Sequence, residues 1–146
     1  MPAALLDVNM LVALCWQEHT FHAVAQSWFR DHWRRGWATC PLTESAFVRV
    51  TSNPSALKNA VTPAEAIALL EGNLKHATHE FWPDDLTFAK AAAPFEKLMT
   101  GHQQIADVYL LGLALHHKSR LVTFDRGVIA LASATGLSNL VGAVPR

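Results

Sequence analysis

The sequence predicts a three-layer α/β domain, with a central, mostly parallel sheet carrying helices on both faces. Three observations support this. Short apolar runs of strand length alternate along the chain with stretches of helical periodicity, the order that parallel α/β domains produce. The run ending at Leu6 and the run Trp37-Ala38-Thr39-Cys40 read as strands buried on both faces, because neither carries a regular polar alternation. With 146 residues, 51% hydrophobic and 16% charged, the chain has enough apolar material for one core. No repeat, low-complexity tract or linker divides it, so residues 1–146 are expected to form a single domain.

In order along the chain, residues 3–6 form the first strand, and Met10, Leu11, Ala13 and Leu14 fit the apolar side of the first helix. Asp7 then stands where strand becomes helix. It is either an N-cap or part of a site, since ligands of parallel α/β sheets gather at the carboxyl ends of strands. Glu18-His19-Thr20 breaks the pattern. Ala23, Val24, Trp28, Phe29 and Trp33 follow helical spacing up to Arg34-Arg35-Gly36, where glycine is a stop and the arginines complement the helix dipole. The strand over 37–40 is stopped by Pro41, and Thr43 is expected to cap a helix over 44–50 that runs into the turn Ser52-Asn53-Pro54.

Thr62-Pro63-Ala64-Glu65 combines a capping-box spacing with proline at the first helical position, predicting a helix over 63–71 that ends at Gly72-Asn73. Glu80-Phe81-Trp82 is a third, weaker strand. Pro83-Asp84-Asp85 reads as a turn leading into a helix over 86–93, with the two aspartates in turn and cap roles. Residues 104–117 are apolar nearly all round, which marks a largely buried helix, and its one acidic residue is Asp107 in the first turn. Residues 120–124 form a strand ending on Asp125. A last helix over 128–134 stops at Gly136, and residues 139–141 add a final short strand.

Twelve Lys and Arg balance twelve Asp and Glu, so no overall charge draws the protein to nucleic acid or membrane, and a nucleic-acid site would have to be local. Cys15 and Cys40 have no zinc-ligand spacing and read as small core residues in a reduced setting. Asp7 interrupts the first apolar run, which excludes that run as a signal peptide or membrane span and leads to the expectation of a cytoplasmic protein.

Four acidic residues share one kind of position. Asp7, Glu44 and Asp125 each follow a strand, and Asp107 opens a buried helix. In a parallel sheet these ends lie on one edge, where converging carboxylates would be desolvated and mutually repelling. The compensation suited to such a set is a hard divalent cation, since Mg²⁺ and Mn²⁺ take oxygen ligands, and the lack of an ordered His/Cys set argues against zinc. A second account stands beside it: Asp7, Glu44 and Asp125 as caps or first-turn acids satisfying helix dipoles. Asp107, inside an apolar turn, fits that account least well.

The stretches Leu5-Leu6-Asp7-Val8-Asn9-Met10-Leu11, Pro41-Leu42-Thr43-Glu44, Ile105-Ala106-Asp107-Val108-Tyr109-Leu110 and Leu121-Val122-Thr123-Phe124-Asp125-Arg126 resemble, in order, the motifs of the PIN domain. The likeness is to the VapC toxins of toxin-antitoxin pairs. The text from Trp37 to Glu44, Phe47-Val48-Arg49-Val50, Ser52-Asn53-Pro54 and His79 to Asp85 resembles the mycobacterial and actinobacterial kind. The resemblance implies a PIN-like three-layer fold and endoribonuclease activity toward transfer or ribosomal RNA. It also implies one or two Mg²⁺ or Mn²⁺ ions on Asp7, Glu44, Asp107 and Asp125, a homodimer, and inhibition by a cognate VapB-like antitoxin whose arginine can stand in for the metal as counter-charge.

Asn9 and Thr123, two residues from Asp7 and Asp125, are placed to orient a carboxylate or a water, although capping and turn roles suit them equally. Arg30, Arg34, Arg35, Arg49, Lys58 and Arg126 are the cations available to RNA, with Arg49 and Arg126 following acidic motifs. The five tryptophans read as core or subunit contacts more than as base-stacking platforms. Two readings from other classes remain. One is a non-catalytic module binding RNA or protein; the other is a phosphatase of the haloacid-dehalogenase type with Asp7 as nucleophile, disfavoured because Asn9 replaces its acid/base aspartate.

Overall fold

In a computed structural model, residues 2–144 are described; Met1, Pro145 and Arg146, the outermost residues of the expected 1–146 domain, lie outside them. Strand β1 (Ala4–Leu6) leads into α1 (Val8–Cys15), followed by α2 (His22–His32), β2 (Trp37–Thr39), α3 (Pro41–Thr51) and α4 (Pro63–Leu74). The rest of the chain forms β3 (His79–Phe81), α5 (Phe88–Ala92), α6 (Ile105–His116), β4 (Leu121–Thr123), α7 (Arg126–Ala134) and β5 (Val141–Ala143). The strands form one sheet in the order β3-β2-β1-β4-β5, with every pairing parallel.

This order moves outward from β1 to β2 and β3, then returns to the other side of β1 for β4 and β5. Because crossovers between parallel strands are right-handed, a reversal of direction puts the later helices on the opposite face. The packing agrees. Ala4, Leu6, Trp37 and Val122 pack with Met10, Leu11, Phe47 and Leu70 from α1, α3 and α4. Leu5, Ala38 and Leu121 pack on the other face with Val108, Leu111 and Leu113 of α6 and Leu131 of α7. The period-two alternation of each strand thus feeds two cores, giving the expected three layers. Helix α6 is buried continuously from Val108 to Ala114. It can come so close to α5 because Gly112 has no side chain: a Cβ there would overlap the Ala91 carbonyl.

Several boundaries differ from expectation for local physical reasons. Helix α3 begins at Pro41 and not after Thr43, because proline is well suited to a first helical position. Thr43 works inside the first turn, its Oγ1 accepting from Cys40 N at 3.0 Å. Helix α4 runs through Gly72 and Asn73 to Leu74, which packs against the same core as Leu70, one turn earlier. Asp84 and Asp85 cap nothing. Thr87 takes that role for α5, its hydroxyl accepting from Lys90 N at 3.3 Å. The last strand is displaced to Val141–Ala143 because Ser138–Leu140 forms a tight turn that buries Leu140. Cys40 is buried as expected, whereas Cys15 closes α1 at the surface. Gly36, at φ +91°, makes the turn into β2 as its position suggested. Among the described residues no helix is long and apolar enough to cross a membrane.

Candidate active site

Reversal of the strand order leaves β1 and β4 side by side with their following loops diverging, the place where parallel sheets open a crevice. Asp7 follows β1 and Asp125 follows β4, and each is also the N-cap of the next helix. Cap and site are therefore not alternatives here. Asp7 Oδ1 accepts from Val8 N at 2.8 Å, while its Oδ2 accepts from the Thr123 hydroxyl at 2.7 Å. Asp125 Oδ1 accepts from Gly127 N at 2.8 Å and from Val128 N at 3.3 Å, which binds one oxygen to the opening of α7.

Thr123 is the junction of this network. Wholly buried at the end of β4, it donates to Asp7 and accepts from Asp125 N at 3.0 Å and from Asn9 Nδ2 at 3.3 Å. Asn9 in turn accepts weakly from Phe124 N at 3.4 Å through its carbonyl oxygen. Thr123 thus contacts the Asp7 carboxylate directly, whereas Asn9 reaches it only through Thr123.

Asp107 enters from the first turn of α6. Its carboxyl pKa is pushed up from 3.8 to about 7, first by burial and then by the charges of Asp7 and Asp125. Asp7, only 3% exposed, is also raised by burial, opposed by its bonds from Thr123 and Val8. Three acidic side chains from three elements thus act on one another. Among the described residues the one ion pair, Arg30 with Asp31, involves none of them. This is a donor set of hard oxygens with uncompensated negative charge, the chemistry that Mg²⁺ or Mn²⁺ fits. Among the described residues no three His, Cys, Asp or Glu side chains stand close enough to chelate an ion in this arrangement. Mg²⁺ needs no such cage, since it commonly keeps several waters and binds one or two carboxylates.

Glu44 lies one strand over, in the first turn of α3, and is not among the groups that raise Asp107. Its Oε2 accepts from the Thr39 hydroxyl at 2.7 Å, and that hydroxyl also lies 2.7 Å from His79 Nε2. The cations divide. Arg126 opens α7 next to Asp125 and is exposed, while Arg49 sits in the last turn of α3. Arg30, Arg34 and Arg35 end α2 and the turn before β2, at the opposite edge of the sheet from the acids.

The PIN-domain family model matches residues 4–134. The chain belongs to the PIN-domain family. Its curated relatives include Ribonuclease VapC39 of Mycobacterium tuberculosis, 44% identical over 90% of this chain and 94% of the relative. Ribonuclease VapC38 of the same organism is 46% identical over 88% of this chain and 89% of its own length, and Ribonuclease VapC44 is 38% identical over 91% and 92%. Within the PIN-domain family the chain therefore groups with the VapC ribonucleases.

Sequence reasoning placed the acidic edge of this PIN domain but gave no role to Thr39 or His79. His79 opens the stretch whose text resembles VapC proteins and stands at the start of an edge strand, two positions from the register partner of Thr39, with nothing in the sequence to show that it faces Thr39. Only the parallel pairing of β2 with β3 brings its ring to the end of β2.

Proposed function

We propose that this chain is the toxin of a VapBC-type pair, a metal-dependent endoribonuclease that cuts transfer or ribosomal RNA and thereby blocks translation and growth. The observation that carries this reading is the grouping of Asp7, Asp107 and Asp125, in which burial and then the charges of Asp7 and Asp125 raise the pKa of Asp107, with no ion pair to any of the three among the described residues. Asp7, Asp107 and Asp125 would hold Mg²⁺ or Mn²⁺, with Glu44 as the fourth acid. When bound, such an ion supplies polarisation of the scissile phosphodiester and a lowered pKa for the attacking water.

The chain's own residues do the rest. Val8 N and Thr123 fix both oxygens of Asp7, and Asn9 holds Thr123 in turn. The N-terminus of α7 fixes one oxygen of Asp125 and leaves the other free. Arg126 is the cation nearest in sequence to this edge and would meet the RNA backbone there, with Arg49 as a more distant contact. We read the chain as one cytoplasmic domain that works as a homodimer and is held inactive by a VapB-like antitoxin. An apolar groove of about 400 Å³, lined by Leu11, Leu14, Phe29, Leu69, Leu70 and Leu74, suits the apolar face of such a partner.

The test is Mn²⁺ calorimetry on the antitoxin-free protein and its folded Asp7→Asn and Asp107→Asn variants, run beside cleavage of total RNA. Binding and cleavage lost together in both variants is the expected result. A wild-type chain that binds RNA but neither metal nor turnover would replace the enzyme with a non-catalytic RNA- or protein-binding module, a reading that draws on the absence of a preformed three-ligand cluster among the described residues.

A further inference from the structure

Thr39 ends β2 with its side chain wholly buried, and its single hydroxyl stands between Glu44 Oε2 and His79 Nε2, each 2.7 Å away. A hydroxyl has one proton to give. A carboxylate only accepts, so the contact with Glu44 is a hydrogen bond only if Thr39 donates to it, and a charged acceptor makes that bond roughly twice as strong as a neutral one. The contact with His79 is then a hydrogen bond only if Nε2 carries the imidazole proton. In the other tautomer, two acceptors would share one proton and one short contact would be unpaired.

We propose that His79, in its Nε2–H tautomer, is a positioning residue for the acidic edge: it donates to Thr39, which donates to Glu44 and fixes the direction of that carboxylate. The inference rests on the ribonuclease reading and deepens it, since it says what holds the fourth acid in place. Parallel pairing of Leu5 with Ala38 puts the ends of β1 and β2 side by side, so Thr39 stands one strand spacing, about 5 Å, from β1, with the Glu44 carboxylate hydrogen-bonded to it. With Oε2 bound to Thr39, Glu44 keeps Oε1 for substrate, water or cation. The ring of His79 is itself held, its centroid 4.7 Å from that of Trp37. Burial lowers its pKa below the ordinary imidazole value, so near neutral pH the ring has one N–H to place. The Leu74 carbonyl also faces the ring and competes for it.

Two measurements test the proposal. Long-range ¹H–¹⁵N spectra of ¹⁵N-histidine-labelled wild-type protein, with His79 identified by its loss in His79→Gln, should show the Nε2–H tautomer. In RNA cleavage, Thr39→Val should lower kcat by about 10- to 100-fold with KM retained, and Thr39→Ser should stay near wild type. Combining Thr39→Val with Glu44→Gln should lower kcat no further than Glu44→Gln alone. His79→Gln, whose amide can still donate, should keep more activity than His79→Leu, a comparison that stands even if Thr39→Val does not fold. An Nδ1–H tautomer, or losses from Thr39→Val and Glu44→Gln that multiply, overturns the proposal. A folded wild-type chain that cleaves no RNA overturns the ribonuclease reading instead, and the tautomer then decides alone whether the His79–Thr39–Glu44 chain exists.

Discussion

Thr123 donates its hydroxyl proton to Asp7 Oδ2 at 2.7 Å, across 116 positions of sequence. Thr123 Oγ1 itself accepts from Asn9 Nδ2 and from Asp125 N, so one buried hydroxyl ties β1, α1 and β4 together. Thr123→Val keeps the shape and removes the group. Each of its partners would be left short of a bond in a site with little water, at about 1–3 kcal/mol for a buried unsatisfied group. Urea titration should show a loss of that order with an unchanged m-value, and RNA cleavage should fall by about 10- to 100-fold. Unchanged stability would mean that the hydroxyl is not the junction its contacts describe.

Asp125 combines a cap and a charge, and two substitutions separate them. Asparagine caps helices about as well as aspartate, so Asp125→Asn should leave the melting temperature nearly unchanged while abolishing cleavage. Asp125→Ala should lose activity and also about 1 kcal/mol of stability. Equal destabilisation by both would assign the charge, not the cap, to the fold.

The folded-state pKa of Asp107, about 7 against 3.8 for the free group, gives a pH dependence of definite sign. Between those values the folded metal-free protein binds more protons than the unfolded chain. Stability from this group is therefore fully present below about pH 4 and is lost as pH rises through about 7. Thermal melts across this window should fall less steeply for Asp107→Asn than for wild type. A slope identical in the two proteins would remove Asp107 from the like-charge cluster.

Cation binding should reverse that penalty and release a proton. Near pH 6 most Asp107 is protonated, so Mn²⁺ must displace H⁺, whereas about a unit above its pKa little remains to displace. Calorimetry in buffers of different ionisation enthalpy should give different apparent enthalpies at the lower pH and converging ones at the higher. The melting temperature should rise with Mn²⁺, by an amount corresponding to about 2.7 kcal/mol when the free ion is at a hundred times its Kd, and chelator should abolish the rise.

Gly112 offers a test far from the chemistry. A methyl group there meets the backbone of Ala91, which cannot rotate away, so Gly112→Ala should cost at least the 1–3 kcal/mol typical of overpacking despite the better helix propensity of alanine. Because α6 carries Asp107, the residual folded protein should also bind Mn²⁺ more weakly. A stabilised variant would show that α5 and α6 do not touch along this line.

Much of this molecule can be read from periodicity and punctuation. The first strand, the buried helix around Val108 and the strand before Asp125 follow from apolar runs too long or too uniform to face water. Asp7 and Asp125 share an edge because both follow strands of a parallel sheet, and Asp107 is coupled to them from the first turn of α6. What sequence alone misplaced depended on tertiary burial or on dual-purpose residues. Pro41 both stops a strand and starts a helix, and Leu74 extends α4 past a glycine because the core receives it. Local pattern has no term for the partner across a sheet, so the Thr39–His79 contact and the engagement of Glu44 away from the Asp7 group had no signal.

The position of β4 beside β1 also has a consequence in time. Synthesis delivers Asp7 well before the hydroxyl that orients it, which follows 116 positions later. Until β4 has been made and has slotted against β1, the emerging polypeptide contains an aspartate whose second oxygen lacks the Thr123 donor and whose neighbour Asp125 has yet to arrive. The orientation of Asp7 is therefore a property of the paired strands and not of β1 alone, and it comes into being only when β4 docks.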